Sequence, residues 1–212
     1  MNRRGETAII LLATRSEGKR RELATLLAPL GRTLVTLDDL ALPFDPVEDD
    51  LESSPSFEEN ALAKARWFHA RTALPTLADD SGLEVDALDG EPGVRSKRWS
   101  GRADLDGAAL DAVNNALLLA SLRAADAAGR AGRDARYVCA AAYVDATRTV
   151  TQRGEVRGLI VDEPRGTGGF GYDPYFWSAE LGRTFAEAST DEKSSISHRG
   201  RAIRALRDSL SE

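Results

Sequence analysis

Two adjacent carboxylates, Asp79 and Asp80, stand in the stretch TLADDSGLEVDALDGEPGV (residues 76–94), directly after a short apolar run and before Ser81 and Gly82. Like charges side by side repel, and burying them is costly unless a cation or hydrogen-bond donors compensate. The residues allow two readings: a solvated turn where a strand ends, or a site with something positive in it. For the second, carboxylate oxygens suit Mg2+, which prefers oxygen ligands and keeps several of its waters. The acid-rich loop that holds Glu48, Asp49, Asp50 and Glu52 offers further oxygen donors.

Three more polar clusters could do chemistry. TRSEGK comprises Thr14, Arg15, Ser16, Glu17, Gly18 and Lys19, between an apolar run and a helical pattern. Backbone N–H groups at a helix start bind anions, Gly18 permits close approach, and Lys19 adds a point charge. The GxxxxGK[ST] pattern of a P-loop is absent, and from this motif alone an ordinary strand–helix turn is the simpler reading. GGFGYDPYF (168–176) combines glycines that expose backbone donors with Phe170, a flat face on which a base could stack; its later aromatics, Phe176 with the following Trp177, are expected to fold back into the core. EKSSISHRGRA (192–202) places Lys193, His198 and Arg199 beside serines near a helix start, where a solvated basic face is the commonest alternative. Together the clusters supply phosphate donors, an acid site for a divalent cation and a surface for a base. That set suits a nucleoside triphosphate.

Composition narrows the classes. The 212 residues suffice for one large domain or two small lobes, and 42% hydrophobic with 29% charged residues is ordinary for a globular protein. A net charge of −6 argues against a polymeric nucleic acid as partner but leaves room for local basic pockets. The single cysteine, Cys139, lies in the strand-like YVCAAAYV and reads as a packed thiol. One cysteine and two histidines make a His/Cys metal site implausible, so any metal is expected to be hard and oxygen-bound. No apolar run reaches membrane-spanning length, and the short run after MNRRGET leads into polar residues rather than a cleavage site, so neither a membrane nor a signal peptide is expected and a cytoplasmic location is the default.

The elements that must position these clusters alternate at first. Ala8–Thr14 reads as a buried strand. A helix follows with Leu23, Leu26, Leu27 and Leu30 at helical spacing and Gly31 as its stop. TLVTL is a second strand and residues 41–55 a loop. Ser56 and Glu59 have capping-box spacing ahead of a helix through NALAKARWFHAR. LPTLA returns to the sheet, and GLEVDAL reads as a separate, half-exposed strand. A long helix spans 104–128, two strands meet at a turn near 145–148, and from about Ser197 the chain is helical, with Ile203, Leu206 and Leu210 on one side. Strand–helix alternation followed by strand after strand predicts an α/β fold with a mixed, twisted sheet flanked by helices, in a single domain over 1–212.

In this order the clusters resemble the XTP/dITP diphosphatases, the inosine triphosphate pyrophosphatase family, over nearly the whole chain: LLATRSEGKRREL, FEENALAKAR, LADDSGLEVDALDGEPGV, GTGGFGYDPYF and EKSSISHRGRA. The resemblance implies hydrolysis of aberrant purine nucleoside triphosphates to the monophosphate and pyrophosphate, with Mg2+, in a homodimer of two-lobed subunits around a central nucleotide-binding cleft. By motif, it implies that Asp80 is the metal-linked catalytic acid/base and Ser81 a substrate contact. It implies that Thr14 to Lys19 bind the triphosphate, with Lys64 and Lys193 on the phosphate side. Phe170, Gly171, Tyr172 and Asp173, with His198 and Arg199, would form the base and sugar pocket. The family's metal-binding segment resembles ESSPSF here, which makes Glu52 the second expected metal ligand, with Glu48 or Asp49 as substitutes. Ser16 stands where the family usually has asparagine. A Maf-like pyrophosphatase and a non-catalytic nucleotide sensor are the competing functions; the SHRG and GGFGYDP motifs oppose the first and the DDSG acids the second.

Overall fold

The computed structural model describes residues 9–211. Ala8, the expected start of the first strand, and the N-terminal residues considered as a leader lie outside the described residues. Seven strands form one sheet in the order β2-β1-β3-β4-β5-β6-β7. β1 (Ile9–Leu12) pairs in parallel with β2 (Thr33–Thr36), Ile9 opposite Thr33, and with β3 (Thr76–Val85), Leu11 opposite Thr76. A strand with parallel neighbours on both sides is covered on both faces, which is why its run of apolar residues is unbroken: Ile10, Leu11, Leu12 and Ala13 are all buried. Parallel neighbours need long crossovers, here helix α1 (Glu17–Leu27) between β1 and β2 and, between β2 and β3, a stretch that holds a short helix α2 (Val47–Asp50) and the longer α3 (Phe57–Thr72). β4 (Asp134–Val144) and β5 (Thr149–Ile160) meet at a turn in which the Asp145 carboxylate accepts from the N–H groups of Thr147 and Arg148 at 2.8 and 2.9 Å. β5 pairs antiparallel with β6 (Phe176–Ser178), and β6 with β7 (Arg183–Thr184), so the sheet is mixed. The other helices are α4 (Gly107–Ala127), α5 (Thr190–Ile196) and α6 (His198–Ser211).

The chain forms two compact units. The first takes the described parts of residues 1–80, 140–153 and 202–212, and the second residues 81–139 and 154–201. The first buries Leu23 and Leu27 of α1, Ala61, Ala65 and Phe68 of α3, and Ile203 and Leu206 of α6, each at most 2% exposed. The second is centred on Leu83, Val85, Leu118, Leu122, Tyr137, Val156, Phe176 and Phe185. There the rings of Phe176 lie 4.7 Å from Tyr137 and 4.9 Å from Phe185, inside the range of favourable aromatic pairs. Phe176 folds into the core as expected, and Cys139 is a buried thiol. Among the described residues no helix is long and apolar enough to cross a membrane.

Three local expectations change. LPTLA and GLEVDAL are not two strands separated by an acidic turn: β3 runs unbroken from Thr76 to Val85 through the acid pair. The loop at 41–55 contains α2, too short to leave a periodic signal. Ser56 caps α3 by accepting from Glu59 N–H at 3.3 Å, but the Glu59 carboxylate turns to the Ser54 hydroxyl, so the reciprocal half of the capping box is missing.

At the start of α1, Ser16 is the N-cap, its hydroxyl accepting from Lys19 N–H at 3.4 Å. Asparagine and serine cap about equally well, whereas alanine there costs about 0.5–2 kcal/mol. Ser16→Asn is expected to shift unfolding stability by no more than about 0.5 kcal/mol and Ser16→Ala to lower it by about 1 kcal/mol in denaturant titration; a large loss in Ser16→Asn would show that the position is packed rather than capping.

Candidate active site

The acid pair is buried. Asp79 is 0% and Asp80 4% exposed, so the solvated turn is excluded. Consecutive residues of a strand point to opposite faces, and each carboxylate meets its own compensation. Lys19 reaches from α1 to Asp79, Nζ to Oδ2 3.2 Å. Asn60 reaches from α3 to Asp80, donating from Nδ2 to Oδ2 at 2.9 Å. Lys64, one helical turn after Asn60 on the same face of α3, donates to the Asp79 carbonyl at 2.7 Å and pairs with Glu52 at 2.5 Å. Burial pushes the Asp80 carboxyl above its usual value, and the Glu52 charge pushes the same way, against the pull of Lys19, Lys64 and the Asn60 amide. Burial works against the Lys64 ammonium, yet the charges of Glu52, Asp79 and Asp80 outweigh it and hold its pKa above the usual value.

Asn60 is a residue that the sequence reading missed. It is fully buried and every polar atom of its amide is placed: Oδ1 accepts from Ser54 N–H at 2.9 Å, and Nδ2 also donates to the Ser54 carbonyl at 3.0 Å. It thereby ties the segment after Glu52 to Asp80. Its signal in the sequence was its i, i+4 relation to Lys64. Of the expected phosphate segment, Thr14 is buried and its Oγ1 accepts from Ser16 N–H at 3.3 Å, Glu17 is exposed in the first turn of α1, and Gly18 lies within that helix. Arg15 is committed elsewhere. It forms a bidentate pair with Glu48 at 2.7 and 2.8 Å and donates to the carbonyls of Leu42 and Pro43. That occupies Glu48, and Asp49 is exposed on α2, which leaves Glu52 as the acid of this loop that joins Asp80.

The donor chemistry fits a hard divalent cation. Among the described residues no group of three or more His, Cys, Asp and Glu gathers as a closed cage. Mg2+ does not need one; one or two carboxylates, waters and substrate phosphates are its usual set, and Asp80 and Glu52 supply two carboxylates whose charges act on each other.

The second unit holds the aromatic and basic residues. Arg199 is 1% exposed and donates from Nη2 to the Ser81 hydroxyl at 2.7 Å. Lys193 pairs with Asp173 at 2.6 Å and stands 4.9 Å from the centre of the Phe170 ring, with the Arg199 guanidinium 5.8 Å from it, both at cation–π range. His198 opens α6 and stacks on Tyr137 at 4.6 Å. Gly169 makes the loop possible. Its φ is +71°, and a Cβ there would come within 2.0 Å of Asp173 Oδ2, the oxygen that accepts from Phe170 N–H at 2.8 Å. Two residues of the expected base and sugar pocket have groups engaged within the protein. The Tyr172 ring lies in the core and its hydroxyl donates to the Ser96 carbonyl at 2.8 Å. Gly171 N–H donates to Asp111 Oδ2 at 2.8 Å.

Removing the Asn60 amide strips hydrogen bonds from Ser54 and Asp80 in a water-poor place. Asn60→Ala is expected to cost about 2–4 kcal/mol of unfolding free energy, from lost bonds of about 1–3 kcal/mol each, and at least about tenfold in turnover. A loss under about 0.5 kcal/mol in chemical denaturation would mean that the amide does not tie the two segments.

Compared with known proteins, residues 10–209 match the Ham1 family. The chain is 46% identical over 202 residues to a dITP/XTP pyrophosphatase of Geobacter sulfurreducens, covering 95% of this chain and 96% of that one. It is 51% identical over 201 residues to a dITP/XTP pyrophosphatase of Mycolicibacterium paratuberculosis, covering 93% of each. Among solved structures, a HAM1 protein from Coxiella burnetii superposes with a TM-score of 0.81 at 36% identity, over 96% of this chain and 98% of that one. Motif order, α/β architecture and these likenesses agree: the chain belongs to the Ham1 family.

Proposed function

We propose that this protein hydrolyses aberrant purine nucleoside triphosphates (dITP, ITP and XTP) to the monophosphate and pyrophosphate, using Mg2+. The observation that carries the reading is the buried acid pair with Lys19, Lys64 and Glu52 packed against it, because buried ion pairs add little stability over a well-packed apolar core and the charges of this cluster suit a polyphosphate with a divalent cation. The names of the relatives support the substrate class.

In this reaction a water oxygen joins the α-phosphorus, the bond from that phosphorus to the oxygen bridging to the β-phosphate breaks, and pyrophosphate leaves. Asp80 takes the proton of the attacking water. A carboxyl whose pKa is raised is a better base than an ordinary aspartate at neutral pH. Lys19 and Lys64 neutralise phosphate oxygens as charge moves onto the leaving group. Asp80 and Glu52 would hold the cation, which supplies further charge stabilisation on the phosphate oxygens when bound. Phe170 offers the face for the purine, while Arg199 and His198 donate to its 6-oxo group. Adenine carries a donor at that position, and each unmatched donor costs about 1–3 kcal/mol. Lys193, paired with Asp173 beside the Phe170 ring, would act on the phosphate side. The reading extends to a homodimer in the cytoplasm, the setting in which a nucleotide pool needs cleansing.

The direct test is pyrophosphate release with Mg2+: inosine and xanthosine triphosphates are expected to exceed ATP by at least about a hundredfold in kcat/KM, and chelation to abolish the activity. Comparable rates on ATP and ITP would sink the substrate class, and binding without turnover would favour a sensor.

Asp80→Asn separates chemistry from folding. An acid whose folded pKa lies above its unfolded value destabilises the fold at pH above both, and that penalty fades as pH falls through the folded value. The amide removes the penalty and can still accept from Asn60. Without divalent cations at neutral pH, the melting temperature of Asp80→Asn is expected to hold or rise, while turnover falls at least about a hundredfold. Near-normal turnover would remove Asp80 from the mechanism.

A further inference from the structure

Helix α4 carries Asp111, Asn114 and Asn115 at spacings of three and four residues, hence on one face. Two of them hold both backbone groups of a single residue, in a loop about sixty residues further along the chain. Gly171 N–H donates to Asp111 Oδ2 at 2.8 Å, and Asn115 Nδ2 donates to the Gly171 carbonyl at 2.9 Å. Both backbone groups of Gly171 are therefore gripped by α4. Asn114 grips a second segment, accepting from Ser100 N–H and donating to the Lys97 carbonyl, each at 3.0 Å. The Tyr172 hydroxyl then joins the loop to that segment at Ser96.

Such polar groups are not what stability alone would select. Asn115 Oδ1 is buried and meets no hydrogen-bond partner among the described residues, and an apolar side chain of similar size would avoid that loss. Burial also pushes the Asp111 carboxyl up, against the favourable bond from Gly171. The polar pair is retained where it fixes how the two peptides flanking Gly171 face. Gly171, with φ of +64° and open space where a Cβ would stand, has the conformational freedom to reverse the peptide after it if that were released.

We infer that Asp111 and Asn115 are positioning residues for base selectivity: by clamping both backbone groups of Gly171 they keep its carbonyl from being offered to a 6-amino purine. The inference rests on the proposed function, which places the purine against Phe170. Held as it is, the loop leaves recognition to the side-chain donors Arg199 and His198, which match an oxo group. Released, the peptide that joins Gly171 to Tyr172 turns, and its carbonyl supplies an acceptor for the amino group of adenine.

The test compares Asn115→Leu, Asp111→Ala and Asp111→Asn with the unaltered protein, all with Mg2+. It measures kcat/KM on ITP and ATP, inhibition by inorganic pyrophosphate, which has no base, and melting temperature. Asn115→Leu and Asp111→Ala are expected to lower the ITP-to-ATP ratio at least about tenfold, with pyrophosphate inhibition within about twofold of normal. Asn115→Leu should melt no lower than the parent. Asp111→Asn, which retains an acceptor for Gly171 N–H, should recover most of the ratio. An unchanged ratio in folded Asn115→Leu or Asp111→Ala overturns the inference. So does a parallel loss of both substrates, pyrophosphate affinity and melting temperature, which marks a merely structural role. Should Asn115→Leu fail to fold, the Asp111 pair decides alone. A parent that does not prefer ITP refutes the proposed function itself; a selective parent with equally selective variants refutes only the clamp.

Discussion

The burial of two consecutive carboxylates in one strand is the constraint on which the first unit depends. Leaving a buried charge without its partner typically costs about 3–5 kcal/mol, a large part of the net stability of a domain. Asp79 and Asp80 point to opposite faces of β3, and more than one element compensates them. Lys19 from α1 pairs with Asp79 and its charge also acts on Asp80, while α3 gives Asp80 the Asn60 amide and the Lys64 charge, and Lys64 donates to the Asp79 carbonyl. The helices that carry these groups are the crossovers that join β1, β2 and β3 in parallel. The packing of the helices on the sheet and the assembly of the charges are thus one requirement. A shift of α3 by one residue would carry Asn60 and Lys64 about 100° around the helix axis and strand the acids.

The second unit follows related rules with different chemistry. Arg199 and Lys193 are nearly as buried as the acids, and they are compensated by Ser81, Asp173 and the ring of Phe170. Here the polar groups do not line a regular strand but hold a glycine-rich loop, which on its own would have many conformations. Gly169 admits the close approach of Asp173, Asp173 accepts from Phe170 N–H, and the Tyr172 ring anchors the loop in the aromatic core. The irregular segment is made definite by engaging the backbone donors of Gly168, Phe170, Gly171 and Asp173 within the protein.

Much of this was legible in the residues. Apolar periodicity, Gly31 after a leucine-spaced helix, and the turn at Asp145–Arg148 between β4 and β5 marked the elements where they are found. The clusters DDSG and SHRG marked residues that lie mostly buried, while of TRSEGK only Thr14 is buried and Lys19 reaches the acid pair. The acid pair was harder. Two aspartates followed by serine and glycine have the local chemistry of a turn, and nothing within ten residues shows that Lys19 and Lys64 neutralise them, since compensation across elements leaves no trace in a local pattern. Asn60, Asp111 and Asn115 were passed over for a similar reason. A polar residue on an amphipathic helix looks the same whether it meets water or a loop 56 residues away, and only the pairing of Asn60 with Lys64 at i, i+4 gave a hint. The difference between Glu48 and Glu52 was also invisible, because it depends on which of them Arg15 reaches.

β3 itself draws these threads together. In consecutive positions it carries Asp79, which holds Lys19; Asp80, assigned to the attacking water; and Ser81, which holds Arg199. Alternation along a strand fixes side chains to opposite faces with little freedom, and a strand with a parallel neighbour cannot slide without exposing its apolar residues. Leu77 and Ala78 before the acids, and Leu83 and Val85 after them, are all fully buried, so the register of the polar triplet is set by the apolar residues on either side. A catalytic acid placed on a loop would gain freedom and lose precision. Placed in a buried strand, it accepts a desolvation cost that raises its pKa toward the range useful for proton transfer. On the proposed mechanism, the feature that makes Asp80 expensive to fold is the one that would make it effective as a base.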